Sequence, residues 1–155
     1  MAHEAFHYKT WEEVAQAAAA QGVSLPYSED IAPLKQPLKI GAHTAPNRIA
    51  FQPMEGTDGT EDGAPGELTI RRYQRFAEGG AGLIWFEAVA TAPEVRASAN
   101  QLMITPENLD DYKRLLDDMR ERALKANGYT PVIIMQATHS GRYSKPQGTP
   151  APLIA

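Results

Sequence analysis

Residues 131–142 (PVIIMQATHSGR) form an apolar run that acquires a glutamine, a threonine, a histidine and an arginine within a few positions. Pro131 before Val132-Ile133-Ile134-Met135 and Gly141 after Ser140 frame a buried strand with a polar C-terminal mouth. Polar groups in such a mouth bond to one another, to neighbouring backbone or to a ligand. The same design occurs in residues 47–59 (NRIAFQPMEGTDG) and 81–93 (AGLIWFEAVATAP). Three apolar strands that each end in polar or small residues imply one rim shared by several strands.

The 155 residues suffice for one ordinary domain with a sizeable core. A net charge of -4 and a pI near 5.5 give no general field that would attract nucleic acid or an anionic membrane. The absence of cysteine removes disulfides, thiolate catalysis and cysteine-ligated metals from this chain. No stretch approaches 18 uninterrupted apolar residues, and the N-terminus carries glutamate and histidine where a signal peptide would be basic. The expectation is a cytoplasmic protein.

Along the chain, Thr10 and Glu13 make a T-x-x-E capping box for a short alanine-rich helix that stops at Gly22. Trp11, Val14 and Ala18 share one side, and Trp11 is expected to dock the helix over one end of the fold. Pro26, Pro33 and Pro37 make residues 23–37 an irregular lead-in. A first strand is expected over 47–53. Gly56, Gly59, Gly63 and Gly66 then form a loop, and Leu68, Tyr73, Phe76 and Ala77 a helix stripe closed by Gly79-Gly80. A second strand is expected over 82–89. The next helix reads from Thr105 as N-cap through Leu109, Tyr112, Leu116, Met119 and Ala123 to Asn127-Gly128, and its charges form a solvated face. The third strand spans 131–137. Strand, loop, helix, strand is the rhythm of a parallel sheet buried on both faces.

About three βα steps fit either a small open α/β domain or part of a larger barrel, because a complete eight-stranded barrel needs about 250 residues. Residues 37–54 (PLKIGAHTAPNRIAFQPM), 79–94 (GGAGLIWFEAVATAPE), 106–115 (PENLDDYKRL) and 135–142 (MQATHSGR) together resemble the N-terminal part of the old yellow enzyme family. These are FMN-dependent ene-reductases, also called NADH:flavin oxidoreductases, and the likeness is to their 2,4-dienoyl-CoA reductase-like branch. Residues 1–34 match less clearly and read as a helical extension and lead-in, leaving 35–155 as a partial FMN-binding domain.

The resemblance implies the N-terminal portion of a (β/α)8 TIM barrel, with FMN held over the C-terminal ends of its strands. It places the main chain at Pro53 and Met54 beside the flavin ring, Ala88 in the same pocket, and Gln136 on the pyrimidine side of the ring. His139, Gly141 and Arg142 match a supporting segment. The implied reaction takes hydride from NAD(P)H and reduces an electron-poor alkene or enoyl substrate. The implied partner is the C-terminal remainder of the barrel, as a separate or missing chain, with an oligomer expected. The substrate-anchoring pair, the proton donor and the phosphate grip of the family all belong to that remainder, so no catalytic residue is assigned here. Glu55 departs from the family pattern, in which threonine or cysteine commonly follows the proline-methionine pair, and Gln52 replaces a smaller residue. An anionic Glu55 beside a flavin would disfavour its electron-rich reduced form.

Several residues also have purely structural readings. Gln136 could satisfy strand-end backbone, and Met54 and Met135 could be ordinary core residues. His139 lacks a partner that would make it a catalytic base. Glu55 and Glu87 resemble a carboxylate pair, but their separation is not set by the sequence. His3, His7 and His43 do not form a convincing metal site. The alternative to an enzyme is a non-catalytic remnant, a structural half-barrel that associates with another chain.

Overall fold

The computed structural model describes residues 5–154. The chain comprises two compact units, Met1–Ile31 and Ala32–Ala155. In the first, helix α1 (Trp11–Ala20) starts where Thr10 Oγ1 accepts the Glu13 N–H at 3.3 Å. The Glu13 carboxylate reaches back to the Lys9 N–H at 2.7 Å, one residue before the position a capping box would use. Gly22 then takes φ +72°, which ends the helix. Trp11 stacks on Tyr27 within this unit, with ring centroids 4.4 Å apart.

The second unit opens with an antiparallel hairpin, β1 (Leu38–Ile40) and β2 (His43–Ala45), turned by Gly41 at φ +58°. Three residues per strand are too few to show an alternating pattern, so the sequence gives no sign of this pairing. The expected α/β unit follows: β3 (Ala50–Phe51), α2 (Glu67–Glu78), β4 (Leu83–Ala90), α3 (Leu109–Asn127) and β5 (Val132–Thr138). The sheet order is β3-β4-β5 and both pairings are parallel. The arrangement resembles part of a TIM barrel.

β3 is shorter than the expected 47–53 because Asn47 has another task. Its Nδ2 donates to Gly80 O at 2.8 Å and to Tyr129 Oη at 3.0 Å, while its Oδ1 accepts the Gly82 and Ile49 N–H groups at 2.8 and 3.0 Å. One side chain thus ties together the segments that enter all three parallel strands. Gly82 must be glycine for this, since a Cβ there would lie 2.5 Å from Asn47 O.

α2 and α3 pack on one face of the sheet. The core holds Tyr73 and Ala77 of α2, Tyr112, Leu115, Met119 and Ala123 of α3, and Ile84, Phe86 and Val89 of β4, with Phe51, Phe76 and Ile133 packed against it. Leu68 is excluded from the expected α2 stripe, and Thr69 takes the buried position because 69, 73 and 77 recur every four residues. In α3 the buried row is 112, 115, 119 and 123, so Leu115 displaces Leu116 from the centre and Leu109 is exposed. α3 also begins later than expected. Thr105 N–H and Asn108 Oδ1 bond at 2.9 Å, and Asn108 N–H and Thr105 Oγ1 at 3.3 Å, so these two residues close a turn before the helix with Asn108 as N-cap. Gly128, at φ +76°, caps its far end.

Candidate functional site

The C-terminal ends of β3, β4 and β5 lie side by side, and one irregularity decides what they present. The β4–β5 register shifts between Phe86 and Ala88, leaving Glu87 as the extra residue of a bulge. Regular alternation from Ile84 and Phe86 would bury Ala88 under the helices and turn Glu87 the other way. With the bulge, Val89 joins Ile84 and Phe86 in the helix-side core, and Ala88 pairs directly with Gln136 on the opposite face.

Glu87 is 2% exposed and fully engaged. One carboxylate oxygen accepts from Arg72 Nη2 at 2.6 Å and the other from the Gly56 N–H at 2.9 Å, while its own N–H donates to Tyr73 Oη at 2.7 Å. Arg72, on α2, also grips Asp58 at 2.7 and 3.0 Å, and Asp58 accepts from Thr69 Oγ1 at 2.5 Å. The Arg72 guanidinium holds the Asp58 carboxyl below the usual carboxylate range, and burial pushes the Tyr73 phenol up. Glu87 is therefore committed to Arg72 and Gly56, and the resemblance of Glu55 and Glu87 to an acid/base pair ends there.

Glu55 precedes Gly56 on the same rim. Partial burial, and then the neighbouring Glu87 charge, raise its carboxyl above the ordinary range. Gln101 Nε2 lies 3.5 Å from Glu55 Oε1 and 3.4 Å from Thr138 Oγ1, and Gln101 Oε1 accepts the Ala97 N–H at 2.6 Å. Gln101, 2% exposed, thus joins the segment after β3 to the end of β5. Sequence reasoning missed it because it sits in an irregular stretch without periodicity.

Of the remaining residues singled out in the sequence, Pro53 is half-buried and Met54 is 73% exposed, its N–H turned back onto Gln52 O at 2.9 Å. Gln136 is half-buried, and among the described residues its side-chain amide makes no hydrogen bond to protein. His139 Nδ1 accepts the Gly141 N–H at 3.1 Å and Arg142 donates to Tyr143 Oη at 3.0 Å, local bonds that shape the turn after β5. An uncommitted amide, a methyl-sized neighbour at Ala88 and main chain at 53–55 along one rim suit the edge and face of a planar ligand with polar atoms on its border. Among the described residues no group of three or more histidine, aspartate or glutamate side chains could hold a metal ion, and no helix is long and apolar enough to cross a membrane.

Old yellow enzyme-type oxidoreductases of known structure show structural homology to the chain. Morphinone reductase in complex with tetrahydroNAD matches with a TM-score of 0.60 and 26% identity over 72% of this chain. The old yellow enzyme homologue from Zymomonas mobilis matches at 0.58 and 26% over 70%. A 2-naphthoyl-CoA reductase in complex with 2-naphthoyl-CoA matches at 0.63 and 23% over 74%, a likeness of fold alone. The chain spans 28% of the length of the first two and 16% of the third. No family model matches the chain, and no curated protein matches it in sequence.

Proposed function

We propose that this chain is the flavin-binding portion of an NAD(P)H-dependent oxidoreductase that reduces an activated C=C bond through FMN. The observation that carries the reading is the Gln136 amide, uncommitted to protein and set opposite Ala88 at the common end of three parallel strands. Structural homology to morphinone reductase and an old yellow enzyme homologue supports it. When bound, FMN would supply the hydride relay from nicotinamide to the β-carbon of an electron-poor alkene or enoyl substrate. The chain's own residues bind and orient. Gln136 offers both a donor and an acceptor to the polar edge of the ring, Ala88 leaves room for its face, and the main chain at Pro53, Met54 and Glu55 lines the adjacent border. The rest of the barrel, on this chain or another, would supply the phosphate grip and the proton donor.

The complete assembly, this chain together with the remaining βα units, should be yellow when purified, with flavin absorbance near 450 nm, or should become so on adding FMN. Colourless protein that takes up no FMN would sink the reading. The second reading is a non-catalytic half-barrel with a protein-filled rim. It draws support from Trp85, an apolar side chain left 41% exposed on the sheet face away from the helices.

A further inference from the structure

Arg72, Glu87 and Gly56 come from α2, from β4 and from the segment after β3, yet they meet in one cluster around the buried Glu87. Glu87 sits at the bulge with both carboxylate oxygens occupied and its N–H on Tyr73 Oη. A charge buried this deeply persists only when paired and hydrogen-bonded, and Arg72 supplies the pair. One bond of that cluster leaves the structural framework: the Gly56 N–H, which belongs to the rim. Gly56 is also sterically constrained, since a Cβ there would collide with the Arg72 guanidinium. That end of a flexible side chain could ordinarily move aside, but here it is fixed by Asp58 and Glu87 together.

We propose that Glu87 is a positioning residue for the candidate site: its carboxylate, paired with Arg72, holds the Gly56 N–H and so fixes the main chain of residues 53–56 beside Ala88 and Gln136. The same bulged residue therefore does two jobs. Its backbone turns Ala88 toward Gln136, and its side chain brings the neighbouring segment to the same place. The consequence for ligand binding rests on the flavin reading, whereas the clamp itself does not.

The test uses full-length protein with uniform ¹⁵N labelling, following Gly56 amide exchange and chemical shift alongside FMN titration. The Gly56 amide should be protected in the parent. Glu87→Gln should shift it and speed its exchange while core amides such as Met119 and Val89 stay protected, and should weaken FMN binding by about tenfold or more, the scale of one charge-assisted bond. Gly56→Ala should weaken FMN binding similarly without removing any charge. Asp58→Asn, which takes away the other Arg72 partner, should leave the Gly56 amide protected. A Gly56 amide that exchanges freely in the folded parent overturns the proposal without recourse to any variant, as does one unchanged by Glu87→Gln in a folded protein. Failure of the parent to bind FMN would sink the flavin reading alone, and Gly56 exchange would still decide the clamp.

Discussion

Gln136 and Glu87 are both polar residues in the last turns of apolar strands, and they differ in what remains for them to do. Glu87 has spent its hydrogen-bonding capacity on Arg72 and Gly56, whereas the Gln136 amide meets no protein partner among the described residues. Gln136→Leu keeps the bulk and removes the amide, so it should weaken FMN binding by about two- to tenfold per bond lost, corresponding to about 0.5–1.5 kcal/mol. Flavin fluorescence titration of full-length protein measures it, and an unchanged dissociation constant defeats the assignment. Glu55 carries a prediction about pH. Burial and the Glu87 charge raise its carboxyl, so the folded protein binds that proton more tightly than the unfolded chain does. Stability is then lost as pH rises from about 4.3 through the raised folded value. Glu55→Gln should therefore melt above the parent at pH 7, with the difference closing below pH of about 4. Asp58 has the opposite sign, because Arg72 depresses it. Asp58→Asn should melt below the parent at pH 7 and converge with it as acid protonates the parent carboxylate. Gln136 was legible in the sequence because a lone amide interrupts an apolar run. The partner of Glu87 was not, since nothing local to β4 names an arginine 15 residues upstream.

The elements were legible wherever a long pattern repeats. The parallel strands β4 and β5 and the helices α2 and α3 follow from apolar runs and from stripes ending at glycine. Two features at this scale lay beyond such patterns. A period-2 reading of 83–90 assigns every side chain after Phe86 to the wrong face, because a bulge adds a residue without a compositional mark. The start of α3 slipped by three residues because Thr105 and Asn108 both suit a cap and in fact bond to each other. The buried row of α3 is the lever on stability here. Met119 is 0% exposed and sits at the centre of the core between both helices and the sheet, so Met119→Ala should cost about 2–5 kcal/mol. Leu109→Ala, at an exposed position of the same helix that the sequence also marked as apolar, should cost under about 1 kcal/mol. Urea melts of the two variants separate these outcomes, and comparable losses would show that the row is misassigned.

At the scale of the whole molecule, a parallel sheet is an architecture that buries both faces, and here helices cover one. The other face carries Trp85 at 41% exposure together with Ile134 and Gln136, while Ala88 between them is buried. On the helix-covered side, an apolar cleft of about 100 Å³ runs between α3 and β5, lined by Leu109, Leu116, Ile133 and Met135. The chain covers 28% of the length of the solved structures that share this fold. These surfaces fit a sheet that continues into further βα units, which gives a prediction about the 155 residues in isolation. Expressed alone, they should bind a hydrophobic dye such as ANS, self-associate on size exclusion, and show no alkene reductase activity with FMN and NAD(P)H. Trp85 reports the state of the uncovered face directly once Trp11→Phe has removed the other indole. Its emission should lie near that of solvated tryptophan in the isolated chain and shift to the blue when the remaining βα units are supplied on the same chain or in trans. Dye binding should fall in parallel, because both signals report the same apolar surface leaving water. A monomer of the isolated chain that binds no dye, already shows blue-shifted Trp85 emission and reduces an activated alkene would overturn the half-barrel account.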